Sequence, residues 1–407
     1  MIDLTKQISF NKNLAQLEGS IIRSLDAEMQ KIPDMIRLTL GQPHFNTPEH
    51  IKARAVEALE KNLTTYTPSQ GTPEVLKAAR HFMKVKYDVD YDDESEILTM
   101  NGATEALTAS LIALINPGDK VVIPSPYFSL YESIVEMAGG VPIFIDTTKT
   151  NFMLEPADIH EVLSAHDNVT AIILNFPSNP TGVTWTEAEC KGIADALREY
   201  PHVCVVSDEI YSEFVYAGKH VSIGRYLREQ SIVINGLSKS HAMTGWRIGF
   251  TYAPAWITKE IMKVHQYLVT NVNSIAQYAA TYALTDGIDD AAPMREAYQE
   301  RRDLLCQGLQ RLGFTMSEPN GAFYVFAKLP ESAIQDSMAF ALDLAKRARV
   351  AVVPGIAFGE SGEGYIRLSY ATDIELLKTS IERIEQYVKG GDVNESTGTK
   401  YIASGSK

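Results

Sequence analysis

Cysteine is scarce in this chain of 407 residues: Cys190, Cys204 and Cys306 are odd in number and lie far apart. They supply neither a disulfide framework nor the paired spacing of a metal site, and a reducing cytoplasm is the compartment they fit. Long apolar runs are lacking too. No stretch approaches the length that crosses a bilayer, and the opening MIDLTKQISFNKN has no apolar signal core, so neither membrane insertion nor export is expected. Basic residues fall short of acidic ones, 37 against 51, a formal net charge of −14. That balance argues against a nucleic-acid or anionic-membrane surface but leaves room for a local basic pocket holding a small anion. A GxGxxG fingerprint after the first strand and a Walker A string are both absent, so the two commonest nucleotide-binding forms of an α/β chain lack support. No internal repeat or domain-scale linker is visible.

What is present is ordinary globular material, 45% hydrophobic and 22% charged, in a chain long enough for more than one domain. The first 49 residues read as an N-terminal arm and part of a small domain, with a helical stretch at SIIRSLDAEMQ and a Gly/Pro-punctuated loop from Gly41 to Pro48. IKARAVEALEKN then repeats at helical spacing, and Thr72 with Pro73 marks the start of the next helix, leaving Tyr66 in the loop between. A strand–turn–helix alternation follows. EILTM leads into NGATEALTASLIALI, VVIP into SPYFSLYESIVEMAG, AIILN into FPSNPTGVTWTEAECKGIADALREY, and VCVVS into DEIYSEF, with SIVIN after it. The alternation predicts an α/β fold, a large domain over 50–285 whose mostly parallel sheet is sandwiched by helices. Over 286–388 a long helix, short strands and the runs GAFYVFAKL, VAVVPG and GYIRLSYA predict a smaller α+β domain. The Gly-, Ser- and Thr-rich tail 389–407 is expected to be disordered.

Polar residues of unusual types gather where these strands end, the edge at which open α/β sheets build their ligand crevice. Gly102, Ala103 and Thr104 open a helix, where free N–H groups suit a phosphate, although an ordinary tight turn would look the same. Asn179 stands between two prolines in LNFPSNPTG. Asp208 follows a buried strand; such a carboxylate is commonly a helix N-cap, but beside a heteroaromatic nitrogen it would keep that nitrogen protonated. Tyr211 follows it. Lys239 comes just after SIVIN, where partial desolvation lowers an amine's pKa and frees it to form a Schiff base. Ser238 and Arg247 can share a phosphate with the helix N-terminus. In the apolar strand GYIRLSYA, an unpaired Arg367 would be costly, so it needs an anion. A phosphate cradle, an acid for a ring nitrogen, an amide and a phenol for a ring hydroxyl, and an imine-forming lysine together fit pyridoxal 5'-phosphate.

The string GLSK with Arg247-Ile248-Gly249 downstream, together with LNFPSNPTG, DEIY and YIRLSYA in that order, resembles the class I/II (fold-type I) PLP-dependent aminotransferases over roughly residues 20 to 388. The resemblance implies the PLP-transferase fold and a ping-pong transfer between a small amino acid and a 2-oxo acid. It implies that Lys239 forms the Schiff base, Asp208 pairs with the pyridine nitrogen, and Asn179 and Tyr211 bond the phenolic oxygen. Gly102, Ala103, Thr104, Ser238 and Arg247 would hold the phosphate, and Tyr127 would stack on the ring. Arg367, assisted by Gly41 and Asn179, would bind the substrate carboxylate. Tyr66 would reach the phosphate of the partner subunit's cofactor, which implies a homodimer with shared active sites. His44 departs from the pattern, standing where many relatives carry an aspartate. INGLSKSHAMTGWR with HQYLVTNVNSIAQ is most similar to the subgroup of bacterial aromatic-amino-acid and N-acetyl-diaminopimelate aminotransferases. Tyr127, Phe128, Tyr267 and Leu268 favour an aromatic donor; N-acetyl-LL-diaminopimelate is the alternative, and cystathionine β-elimination a more distant one. A PLP-sensing transcription regulator would need a DNA-binding domain before this fold, for which the short start leaves no room.

Overall fold

The computed structural model describes residues 10–14, 17, 19 and 21–392. The expected disorder of the tail therefore lies outside the described residues from 393 onward, as do parts of the N-terminal arm. A seven-stranded sheet runs in the order Ile97–Met100, Gly249–Tyr252, Ser231–Gly236, Cys204–Asp208, Val169–Asn175, Lys120–Ser125 and Val141–Asp146. Six strands are parallel, and Gly249–Tyr252 runs against both its neighbours. Their unbroken apolar runs follow from burial on both faces. Val233 packs on one side with Val205, Ile172 and Val122. Ile232 and Ile234 pack on the other with Val206, Ile173 and Ile123.

The antiparallel strand matters for the site. Parallel strands end together at one edge, and a strand running the other way begins there. Gly249 lies opposite both Met100 and Gly236, so Arg247, just before it, arrives beside the residues that follow the parallel strands. The approach is close: a Cβ at Gly249 would meet the Gly102 carbonyl carbon at 2.7 Å.

A second, four-stranded antiparallel sheet joins Val353–Pro354, Tyr365–Ser369, Tyr324–Lys328 and Thr315–Met316. Helices Ala291–Arg311, Ser337–Ala348 and Ile374–Val388 share its apolar core through Leu305, Leu309, Phe340, Leu344, Leu377 and Ile384. The early strand Ile36–Arg37 pairs in parallel with Val350–Ala351. Thr72 caps the helix Pro73–Tyr87 as expected, its hydroxyl accepting from the Val75 N–H at 3.4 Å.

One expected helix is not there. DEIYSEF forms turns after Asp208, and Val215 bridges to Gly321. Every residue of the run is buried, so no solvent face exists for an amphipathic helix. Glu209 is drawn inward instead, accepting from Ser207, Ser222 and the Ile223 N–H and meeting His220 Nε2 at 2.8 Å.

Candidate active site

Lys239 sits on the short helix Leu237–Ser240 directly after the strand Ser231–Gly236. Its Nζ donates to the Gly41 carbonyl at 2.5 Å. Burial pushes its pKa down to about 8, with Arg367 and Arg247 adding to the effect and Asp208 opposing it. Asp208 ends the neighbouring strand and is only 4% exposed. One of its oxygens accepts from the Tyr131 hydroxyl at 2.8 Å, the other from the Ile210 N–H at 3.2 Å. Burial outweighs those bonds and raises its pKa to about 6. Both groups line a cavity of about 230 Å³.

Hydrogen bonds tie the walls of that cavity together. Asn175 donates to the Asp208 carbonyl at 2.9 Å and accepts from the Asn179 N–H at 2.8 Å. Asn179 in turn accepts from Arg367 Nη1 at 2.8 Å, while Arg367 Nη2 donates to the Thr39 carbonyl at 2.8 Å. Arg367 is 3% exposed and lies over the Tyr324 and Phe358 rings. Its Nε is buried without a partner, and among the described residues no carboxylate forms an ion pair with it. A buried guanidinium in that state is a receptor for an anion brought from outside. The Tyr211 and Tyr324 hydroxyls are 2.7 Å apart, and burial raises both pKa values.

Ala103, Thr104, Ser238 and Arg247 line the same cavity. Gly102, with φ +81°, caps the helix Ala103–Leu114, and a Cβ there would meet the Arg247 guanidinium at 2.5 Å. Only glycine lets Arg247 close over that N-terminus. The start of that helix, the Ser238 hydroxyl and the Arg247 guanidinium, which among the described residues donates to the Thr244 and Asn101 carbonyls, make a cradle of the sign a phosphate requires.

The structure corrects two sequence expectations, Tyr127 and the pair Tyr267 and Leu268, and places two further residues, His44 and Tyr66. Tyr127 lies outside this cavity: its ring stacks on Phe144 at 4.9 Å, and its hydroxyl donates to Glu132 at 2.5 Å. The chain turns after Pro126 with the Tyr127 N–H bonded to the Phe358 carbonyl, and the next residue, Phe128, faces the cavity instead. Tyr267 is 93% exposed, and neither it nor Leu268 lines the cavity. His44 lines a neighbouring cavity of about 820 Å³ that shares Arg247. Tyr66 projects into solvent, 87% exposed. Sequence reasoning missed Tyr131 and Asn175, although both stand within four residues of positions it singled out.

The chain belongs to the class I and II aminotransferases, whose family description matches residues 33–384, and it is an aminotransferase enzyme. Members of this family and fold depend on pyridoxal 5'-phosphate and act on small amino and oxo acids. A Bacillus subtilis (strain 168) protein named probable N-acetyl-LL-diaminopimelate aminotransferase is 45% identical over 93% of this chain and 95% of its own. Aromatic-amino-acid aminotransferase 2 of Thermococcus litoralis is 37% identical over 94% of this chain and 99% of its own. The crystal structure of the aromatic aminotransferase from Pyrococcus horikoshii OT3 superposes with a TM-score of 0.84 at 38% identity, covering 90% of this chain and 99% of that one.

Proposed function

We propose that this enzyme holds pyridoxal 5'-phosphate in the Lys239 cavity and moves an amino group from an L-amino acid to a 2-oxo acid such as 2-oxoglutarate by a ping-pong mechanism. One observation carries the reading: a lowered-pKa amine, a buried carboxylate, a buried guanidinium with no carboxylate partner among the described residues and an anion cradle line a single small cavity. When bound, the cofactor supplies an electron sink for the carbon that loses its proton. Asp208 keeps the ring nitrogen protonated, and Tyr211 with the Asn179 amide holds the ring oxygen. Gly102, Ala103, Thr104, Ser238 and Arg247 take the phosphate. The Lys239 amine anchors the cofactor between turnovers, then removes the α-proton of the substrate and returns it as general base and acid. Arg367 fixes the substrate carboxylate with Asn179 and the Gly41 backbone alongside.

The same reading divides the chain into a large unit over 50–285 and a small one over 286–388, to which part of 1–49 is joined. It makes the active enzyme a homodimer in which Tyr66, presented from a loop pinned at its base, reaches the partner's site. The apolar wall of Ile22, Phe128 and Leu130 favours an aromatic donor. N-acetyl-LL-diaminopimelate is the second reading, favoured by the 45% identity to the Bacillus subtilis protein of that name.

A panel of tyrosine, phenylalanine, leucine, aspartate and N-acetyl-LL-diaminopimelate, each with 2-oxoglutarate, tests both. Highest kcat/KM on tyrosine or phenylalanine supports the first, and a preference for the N-acetylated donor replaces it with the second. Lys239→Ala should lose the visible absorbance of the bound cofactor and turnover together; full transamination by that variant would overturn the assignment. Cystathionine without an oxo acid should release no pyruvate.

A further inference from the structure

Behind the cradle lies a buried pair that the reading above leaves unused. Glu105 stands in the first turn of the helix Ala103–Leu114 and is buried. One of its carboxylate oxygens accepts from the Asn101 N–H at 2.5 Å, closing the turn that leads into Gly102. The other meets His265 Nδ1 at 2.7 Å. His265 is fully buried on the helix Ala255–Val269, and its Nε2 lies 2.8 Å from the Ser69 carbonyl.

The two contacts constrain the protons. A carbonyl oxygen only accepts, so Nε2 carries hydrogen. The contact between Nδ1 and the carboxylate then needs one more proton, on the ring or on Glu105. In the first case the pair is an imidazolium with a carboxylate; in the second both members are neutral. Either way its net charge is zero.

Neutrality matters because of where Glu105 sits. Its carboxylate and a phosphate at Gly102–Thr104 would draw on the same positive helix end. An uncompensated carboxylate within one turn of the cradle would repel the dianion. We propose that His265 is a positioning residue that neutralises Glu105, so that the cradle accepts a phosphate while Glu105 still locks the Asn101 turn.

The same imidazole also fixes the loop that presents Tyr66. Ser69 is held by His265, while Gln277 donates to the Thr67 hydroxyl at 3.0 Å and accepts from the Thr72 N–H at 2.9 Å. The proposal rests on the reading that residues 102–104 receive the cofactor's phosphate.

Titration of the cofactor-free chain with pyridoxal 5'-phosphate and, separately, with pyridoxal tests the proposal. Binding is followed by absorbance in the wild type, His265→Gln, Glu105→Gln and the double variant. Glu105→Gln preserves all three hydrogen bonds, with the new amide donating to a neutral His265, and should bind both ligands as the wild type does. His265→Gln should weaken pyridoxal 5'-phosphate by about tenfold or more and leave pyridoxal within about twofold. Adding Glu105→Gln to it should restore most of the loss, because no carboxylate remains to be neutralised.

Equal weakening of both ligands in His265→Gln, or a double variant no better than the single, would overturn the proposal by making His265 a packing residue. Should His265→Gln fail to fold, the comparison moves to Glu105→Gln against the double variant. Those two should agree within about threefold for pyridoxal 5'-phosphate, and a loss beyond about tenfold overturns the proposal. A wild type that binds neither ligand overturns the cofactor reading itself, and this inference with it.

Discussion

Arg367 donates to the side-chain oxygen of Asn179 at 2.8 Å, and that bond decides which way the Asn179 amide faces. With its oxygen committed to the guanidinium, the NH2 group is left as the donor for a ring oxygen in the cavity. One asparagine therefore couples the carboxylate receptor to the cofactor site.

The coupling is measurable by steady-state kinetics. Arg367→Leu should raise KM for both the amino acid and the oxo acid by about 100-fold, as expected when a charge-assisted bidentate contact is lost. Asn179→Ala should cost about tenfold on its own. The double variant should lose less than the product of the two, because each single change already disrupts the shared contact. Strict additivity would show that the bond does not couple them.

Asp208 supplies a prediction about the stability of the cofactor-free chain. Its folded-state pKa, about 6, lies above the ordinary 3.8. Between those values the folded chain holds a proton that the unfolded chain has released, so stability from this group falls as pH rises through the window. Asp208→Asn does not titrate. Its stability advantage over the wild type should therefore be small near pH ~4 and grow to on the order of 3 kcal/mol above pH ~6. Chemical denaturation at several pH values reads the gap, and a gap that does not change with pH would contradict it.

Tyr131 offsets part of that burial cost by donating to the Asp208 carboxylate. In cofactor-free Tyr131→Phe the Asp208 pKa should climb further, and the window over which stability falls with rising pH should extend upward by about one unit. Chemical denaturation of the two cofactor-free chains at several pH values reads the shift. A uniform loss of stability at every pH would make Tyr131 a packing residue only.

Phe128 and Tyr127 can be told apart directly. Phe128→Ala should weaken cofactor binding by about tenfold, the scale of a lost aromatic contact. Tyr127→Phe removes only the hydroxyl bonded to Glu132 and should leave affinity within about twofold. Equilibrium titration of the two cofactor-free variants decides between them, and the reverse ranking would restore Tyr127 as the stacking residue.

Lys239, Asp208 and Gly102 were legible in the sequence for a simple reason. Each belongs to the polar stretch that follows an apolar run, and parallel strands deliver all such stretches to one edge. Arg367 was legible as a charge in an apolar strand. Tyr131 was not, because SPYFSLY holds two buried tyrosines, and only the path of the chain after Pro126 determines which one meets Asp208. Asn175 looked like the last residue of a strand; its role appears when Asn179 folds back on it. Tyr267 and Leu268 lie on an amphipathic helix, and their distance from the cavity is set by how that helix docks. The turns of DEIYSEF likewise come from tertiary burial of Glu209 and its neighbours, which short-range propensity does not encode.

The bond from Arg367 to the Thr39 carbonyl spans 328 residues of chain. During synthesis, all seven strands of the large sheet, with Lys239 and Asp208, are translated before the strand Tyr365–Ser369. A nascent chain at that stage has its reactive amine but no receptor for the substrate carboxylate. The last wall of the site is thus laid down near the end of translation, and a chain halted before Arg367 lacks it.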